Sequence, residues 1–393
     1  MKVHLPKGFR AHGVRCGLKK TPDALDLGLL LSDRPAPASA LFTRNRLNGA
    51  HIPVCRDHLA RSGGFVRAVL VNAGNANCAT GAAGIADART LCASLAARIG
   101  CPTEQVLMVS TGVIGAPLPV ARIEVALDAL LEGSAPDGGA RFAQAIMTTD
   151  TFPKARETVT TEGRVTGFAK GAGMIHPDMA TMLAFLLGDA LPPGGRDLLA
   201  RVADRSFHRA TVDGDTSPND TVLLWGRPLP TAQGAADEGA RSAVLEEALT
   251  AVAQDLARDL ARDGEGATRM VTIRILGART EREAAHVGRT IARSPLVKTA
   301  IAGRDPNWGR ILSAACTAGV PVDPEHARLA IGGVEVYRDG SPLVQNEAAA
   351  HAHLVGSTEV EIALELGLGS ATADVWTCDL TADYVDINAH YRS

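Results

Sequence analysis

The run ATMLAFLLGD at residues 180–189 limits the fold most, because between its threonine and its final aspartate every residue is apolar. An unbroken apolar stretch of this length fits a strand buried on both faces. Such a strand needs packed layers on either side of its sheet. The chain has 393 residues, beyond the roughly 250–300 at which a single core stops growing. Two lobes, or one large layered domain with an appended one, are therefore expected.

The surrounding pattern alternates. A short apolar strand at 68–71 leads into the loop NAGNANCATG (72–81), and a helix follows at 84–99 with Leu91, Leu95 and Ile99 on one face. VLMV (106–109) reads as a second strand and STGVIG (110–115) as its loop. Pro119 opens a helix that Gly133 can close, and a further helix is predicted at 140–147. Residues 164–179 are rich in glycine and read as loop or irregular strand. After LPPGG come a helix near 196–208, the polar loop VDGDTSPNDT and a strand TVLLWG. Residues 228–239 form a flexible Pro/Gly/Ala connector. Beyond it the pattern predicts a long helix at 240–262, a strand at 269–275, helices at 281–302 and 310–318, and mainly strands from 328 onward. The expected fold class is mixed α/β of the α+β type: helices layered on largely antiparallel sheets, with a smaller C-terminal lobe.

Bulk composition excludes several functions. A net charge of −3 supplies no field for nucleic acid or a membrane surface. Aromatics at 4% argue against a base-stacking platform. Seven cysteines without a C-x-x-C pair give neither zinc-site spacing nor a disulfide framework, and they read as buried small hydrophobes in a reducing cytosol. The first twenty residues lack a signal-peptide core, and no apolar run reaches the roughly 18 residues of a membrane helix. A cytoplasmic enzyme is expected, with no metal and no cofactor.

Chemistry concentrates in KGAGMIHPDMATML (170–183). Glycines, a proline and a lysine precede Thr181, which enters the apolar strand. A strained loop running into a rigid strand is a sound place to hold a nucleophile, although a threonine at a strand start is more often only a β-former.

This run resembles the self-cleavage site of the ornithine acetyltransferase family, the glutamate N-acetyltransferases of arginine biosynthesis. That family cuts its own chain within M-A-T-M-L, here between Ala180 and Thr181. NAGNANCATG, STGVIG, TTDT (148–151), DGDTSPNDT (213–221), DGEGAT (263–268), GRDPNWGRI (303–311) and YVDINAHYRS (384–393) all look like family motifs, in the expected order. The resemblance implies a ping-pong transfer of acetyl from N2-acetylornithine to L-glutamate through an acetyl-threonine, without a cofactor. Cleavage exposes the α-amine of Thr181, whose ordinary pKa of about 7.7–8.0 suits a base for its own hydroxyl. The resemblance further implies an oxyanion hole at Thr111 and Gly112, and substrate contacts at Thr148, Lys170, Thr181, Glu265, Asn388 and Ser393. Lys170 suits the α-carboxylate shared by donor and acceptor, and Glu265 suits a substrate amine. Fragments 1–180 and 181–393 are expected to form one intertwined catalytic unit, assembled as two of each. Bifunctional family members also take acetyl-CoA, and the residues do not separate the two kinds.

Plainer readings stand beside these. Lys170 alone reads as a solvated loop charge, and Glu265 as one more carboxylate after a charged helix. His176, in a Gly/Pro loop, is as readily structural as basic, and the threonine amine makes it unnecessary. DGDTSPNDT has the acidic spacing of a calcium loop without its distal glutamate, and reads as an Asx-turn loop. Arg304 and Arg310 suit an anion or simple packing. Asp178 and Ser393 stand where the family commonly has asparagine and threonine. Two alternatives remain open: an amidase or aminopeptidase on the same self-cleaving scaffold, where water discharges the acyl-threonine, and an uncleaved sensor of acetylated amino acids.

Overall fold

The structure, a computed structural model, describes residues 2–176, 182–192, 194–230 and 235–390, without the side chains of residues 235 and 236. Ala180, Thr181, Asp178 and Ser393 lie outside the described residues.

The N-terminal part builds an eight-stranded sheet among the described residues. Its strands are β1 (Phe9–Val14), β2 (Leu27–Phe42), β3 (Phe65–Asn75), β4 (Val106–Val113), β5 (Lys154–Thr160), β6 (Gly163–Lys170), β7 (Leu183–Leu191) and β8 (Thr221–Pro228). They run in the order β4-β3-β2-β8-β7-β6-β5, with β1 also against β2. The long strand β2 joins two halves, pairing β3 through Leu27–Leu31 and β8 through Ala38–Phe42. Its register shifts between Leu31 and Ala36, where Pro35 cannot donate to a ladder.

Burial explains why β7 sits centrally. Leu183, Phe185 and Leu187 join a cluster with Phe142, Phe168 and Trp225 on one face. Ala184 and Leu186 join Val252, Leu256 and Leu260 on the other. Each of these five strand residues is at most 1% exposed, so the unbroken apolar run does mark a strand buried on both faces. Burying a Leu or Phe fully is worth about 1.5–3 kcal/mol.

Helices supply the covering layers. After α1 (His51–Arg61), α2 (Gly81–Ile99) and α3 (Val120–Glu132) lay Leu91, Leu95, Ile123 and Leu127 on Leu70 and Met108 of β3 and β4. The short α4 (Gly139–Ala145) brings Phe142 edge-on to Phe168 and Phe185, at 5.1 and 5.5 Å between centroids. On the opposite side, α5 (Gly195–Asp204) and the 28-residue α6 (Ala235–Arg262) cover β6 to β8.

The second sheet has six strands among the described residues: β9 (Met270–Ala278), β10 (Arg328–Ile331), β11 (Val334–Arg338), β12 (Ser341–Pro342), β13 (Glu359–Glu365) and β14 (Ala371–Cys378). Its order is β12-β11-β10-β13-β9-β14. Around it lie α7 (Glu281–Ala292), α8 (Pro295–Ala302), α9 (Trp308–Cys316) and α10 (Glu347–Gly356), and α11 (Ala382–His390) follows the last strand. The two sheets meet where Trp376 and Cys378 join the core under α6. Among the described residues only β3–β4, β7–β8 and β9–β13 pair in parallel, so the expected mixed α/β class with largely antiparallel sheets holds.

Several boundaries differ from the sequence reading. Residues 281–302 form two helices, because Pro295 has no N–H to continue α7 and instead opens α8 behind a Ser294 cap. Residues 163–170 are regular strand despite their glycines, since β5 and β7 flank them on both edges. Strands β3 and β4 run on through Asn75 and Val113, into segments read as loops. The C-terminal third also holds two helices, α10 and α11, where mainly strands were expected. Among the described residues no helix is long and apolar enough to cross a membrane.

Candidate active site

The parallel pair β3–β4 ends in a close backbone approach. Gly112 faces Gly74 across the ladder. A Cβ on Gly112 would lie 2.4 Å from the carbonyl carbon of Gly74, and its φ is +130°. Only glycine fits both conditions. The register slips at Asn75, whose side-chain amide then ties down the carbonyls of Ala116 and Pro117 at 3.2 and 2.9 Å. From below, the Asn219 amide donates to the carbonyls of Ala76 and Ser110, at 2.5 and 2.7 Å. Thr111 and Gly112 are thus held by fixed neighbours at the lip of a cleft, which is the preorganisation an oxyanion site requires.

Lys170 ends β6 and is buried, with its Nζ donating to Thr111 Oγ1 at 3.2 Å. Burial pushes its ammonium down from the ordinary lysine value, against the pull of the Asp150 carboxylate. Asp150 is the hub of this end. Its carboxylate accepts from Thr148 N (2.8 Å), Gly171 N (2.6 Å) and Lys154 Nζ (2.6 Å). Burial alone would raise its pKa, but the ammonium groups of Lys154 and Lys170 hold it well below the usual carboxylate range. Lys154 Nζ also reaches Asp263 at 2.5 Å. Asp263 in turn accepts from the Thr151 backbone N–H, at 3.0 Å, and from its hydroxyl.

Glu265, two residues beyond Asp263, also lines the cleft. Its backbone N–H donates to Ala172 O at 2.9 Å, and its Oε2 accepts from Asn388 Nδ2 of α11 at 2.8 Å. Gly173 has no side chain where a Cβ would come within 2.3 Å of that same oxygen. Tyr384 Oη donates to Asp213 Oδ2 at 3.3 Å. Burial raises the pKa of Asp213, and raises that of Asp220 far above the usual value.

The sequence-derived residues therefore converge. Thr111, Gly112, Thr148, Lys170, Glu265 and Asn388 all line one cleft, of about 800 Å³ including its open mouth. The loop residues Gly173–Ile175 and the strand start at Met182–Leu183 border the same space. His176 stands apart from this role, since its Nδ1 meets Thr211 Oγ1 and its Nε2 meets Arg289 Nη2, both at 3.1 Å. Arg310 donates to Leu296 O at 3.0 Å, a packing contact.

Comparison with known proteins shows the family. The model of the ArgJ family matches residues 10–393. The arginine biosynthesis bifunctional protein ArgJ of Thermus thermophilus is 47% identical, over all of both chains. The ArgJ of Thermosynechococcus vestitus is 45% identical over all of this chain and 98% of its own. The chain belongs to the ArgJ family. Among solved structures, the ornithine acetyltransferase of Mycobacterium tuberculosis, crystallised with ornithine, is 35% identical over 45% of this chain and 96% of that one, with a TM-score of 0.43.

As an ArgJ-family protein, the chain is an acyltransferase of arginine biosynthesis. Sequence reasoning missed the buried Asp150–Lys154–Asp263 triad, which ties the start of β5 to the end of α6. The four-residue spacing of Asp150 and Lys154 was its only trace, and that spacing signals a pair only on a helix. Asp213 and Asn219 sat in plain view within DGDTSPNDT, but which backbone groups they hold depends on chain crossings that no local pattern reveals.

Proposed function

We propose that the cleft transfers acetyl from N2-acetylornithine to L-glutamate through an ester on Thr181, after the chain has cut itself between Ala180 and Thr181. The observation that carries this reading is the convergence of Thr111, Lys170 and Glu265 on one cleft that the start of β7 borders. Thr181 is joined directly to Met182, and Met182 lines that cleft.

The freed α-amine of Thr181 takes the hydroxyl proton as the oxygen attacks the acetyl carbonyl. Thr111 and the Gly112 N–H receive the charge that develops on the carbonyl oxygen. The amide C–N bond breaks, the proton passes to the leaving amine, and ornithine departs. Glutamate then attacks the acetyl-threonine and frees the hydroxyl. Both substrates are α-amino-acid derivatives, so one carboxylate site serves both. Lys170 and Thr148 fill that role, while Glu265, Asn388 and the terminal Ser393 hold the opposite, amine-bearing end.

Cleavage leaves fragments 1–180 and 181–393. That they act as one unit is supported by the sheet order, in which β7 and β8 of the second fragment lie between β2 and β6 of the first. Two copies of each fragment and cytoplasmic residence complete the reading. The test is consumption of acetylornithine with and without glutamate. Transfer requires glutamate for turnover, whereas steady hydrolysis in its absence would establish an amidase instead.

A further inference from the structure

Residues 174–176, which lead into the proposed cleavage site, bond to segment 211–221. Asp213 Oδ2 accepts from Met174 N at 2.6 Å, and its Oδ1 from Ile175 N at 2.9 Å. The carbonyl of Ile175 accepts from Val212 N (2.7 Å) and from the Thr211 hydroxyl (3.1 Å). The carbonyl of His176 accepts from the Thr216 hydroxyl at 3.4 Å. Downstream of the cut, Thr221 N donates to the carbonyl of Met182 at 3.0 Å. One eleven-residue stretch thus fixes both ends of the short span containing the scissile bond.

Asp213 also holds strained backbone. Met174 has φ +55°, a left-handed conformation that costs a non-glycine residue on the order of 1–3 kcal/mol and persists only where its surroundings over-determine it. The carboxylate that accepts from Met174 N supplies that constraint through charge-assisted bonds. Self-cleavage needs the threonine hydroxyl aligned on the preceding carbonyl. Such a near-attack geometry is lost when either end of the span drifts by about 1 Å.

We propose that Asp213 is a positioning residue for self-cleavage, holding Met174 and Ile175 on the approach to the bond before Thr181. The inference rests on the cleavage reading above and assigns the DGDTSPNDT segment a task in maturation, separate from acetyl transfer. No new chemistry is involved: the hydroxyl adds to the Ala180 carbonyl, the C–N bond breaks to an ester, and water releases Thr181 with a free amine.

The experiment is a time course of full-length chain made by cell-free translation, with the uncut fraction read by denaturing mass spectrometry. Wild type, Asp213→Asn, Asp213→Ala and Thr211→Val are compared, with Thr181→Ala as the uncut reference. Cleavage is expected to slow about tenfold in Asp213→Asn, which keeps one acceptor oxygen, and further in Asp213→Ala. The uncut variants should melt with the same cooperativity as Thr181→Ala. Wild-type cleavage rates in Asp213→Ala would overturn the inference. If Asp213→Ala fails to fold, Thr211→Val decides: slowed cleavage in a folded chain supports the inference, and an unchanged rate overturns it. A wild-type chain that stays whole would instead remove the cleavage reading itself.

Discussion

Replacing Lys154 with methionine tests the buried triad that ties the start of β5 to the end of α6. Its side chain is fully buried, and its Nζ lies 2.6 Å from Asp150 and 2.5 Å from Asp263, both also buried. Methionine keeps the length of the stem and removes the charge. Breaking a buried ion pair by deleting one partner costs about 3–5 kcal/mol. The lower end applies here, because Lys170 still faces Asp150 and Thr151 still donates to Asp263. Pairing Lys154→Met with Asp263→Asn removes one charge of each sign. That double variant is expected to recover about 2 kcal/mol of the loss, a coupling energy of the size seen for residues in direct contact. Urea unfolding in the Thr181→Ala background, which the cleavage proposal expects to stay a single polypeptide, gives the comparison through the midpoint and slope. A Lys154→Met chain within about 0.5 kcal/mol of its parent would behave as a surface variant and refute the reasoning. Strictly additive effects in the double variant would refute it too.

Gly112→Ala forces a Cβ to within 2.4 Å of the Gly74 backbone, and is expected to lower kcat roughly 10²–10³-fold, the usual cost of losing one oxyanion donor, with fold retained by circular dichroism. Asn388→Ala removes the 2.8 Å bond to Glu265, and should raise the KM of acetylornithine about tenfold while kcat changes little. Burial lowers the pKa of Lys170, so its ammonium is present below that lowered value and lost as pH rises through it. KM for both substrates should therefore climb at a pH below the ordinary lysine value of about 10.4, and a flat KM up to that pH would remove Lys170 from carboxylate binding.

The apolar run of β7 was fully legible because every one of its residues is buried, so tertiary context and local pattern agree. Thr111, Gly112, Lys170 and Glu265 were also legible, but only through motif resemblance; nothing in their spacing brings residues 111, 170 and 265 together. What escaped was non-local. Lys154 looks like a surface lysine after a loop, and its burial depends on Asp263 arriving from the end of α6. Residues 163–170 looked irregular for their glycines, yet neighbours on both edges hold them straight. The break at Pro295 is visible in the sequence, where a proline cannot continue the helix that precedes it.

The most direct measurement of the central claim is the intact mass of the fragments after a brief exposure to N2-acetylornithine without glutamate, under denaturing conditions. The fragment beginning at Thr181 should be heavier by one acetyl group, lose it when glutamate is added, and be missing in Thr181→Ala, which stays a single chain. Turnover to acetylglutamate with no acetyl on that fragment would contradict a threonine-ester route.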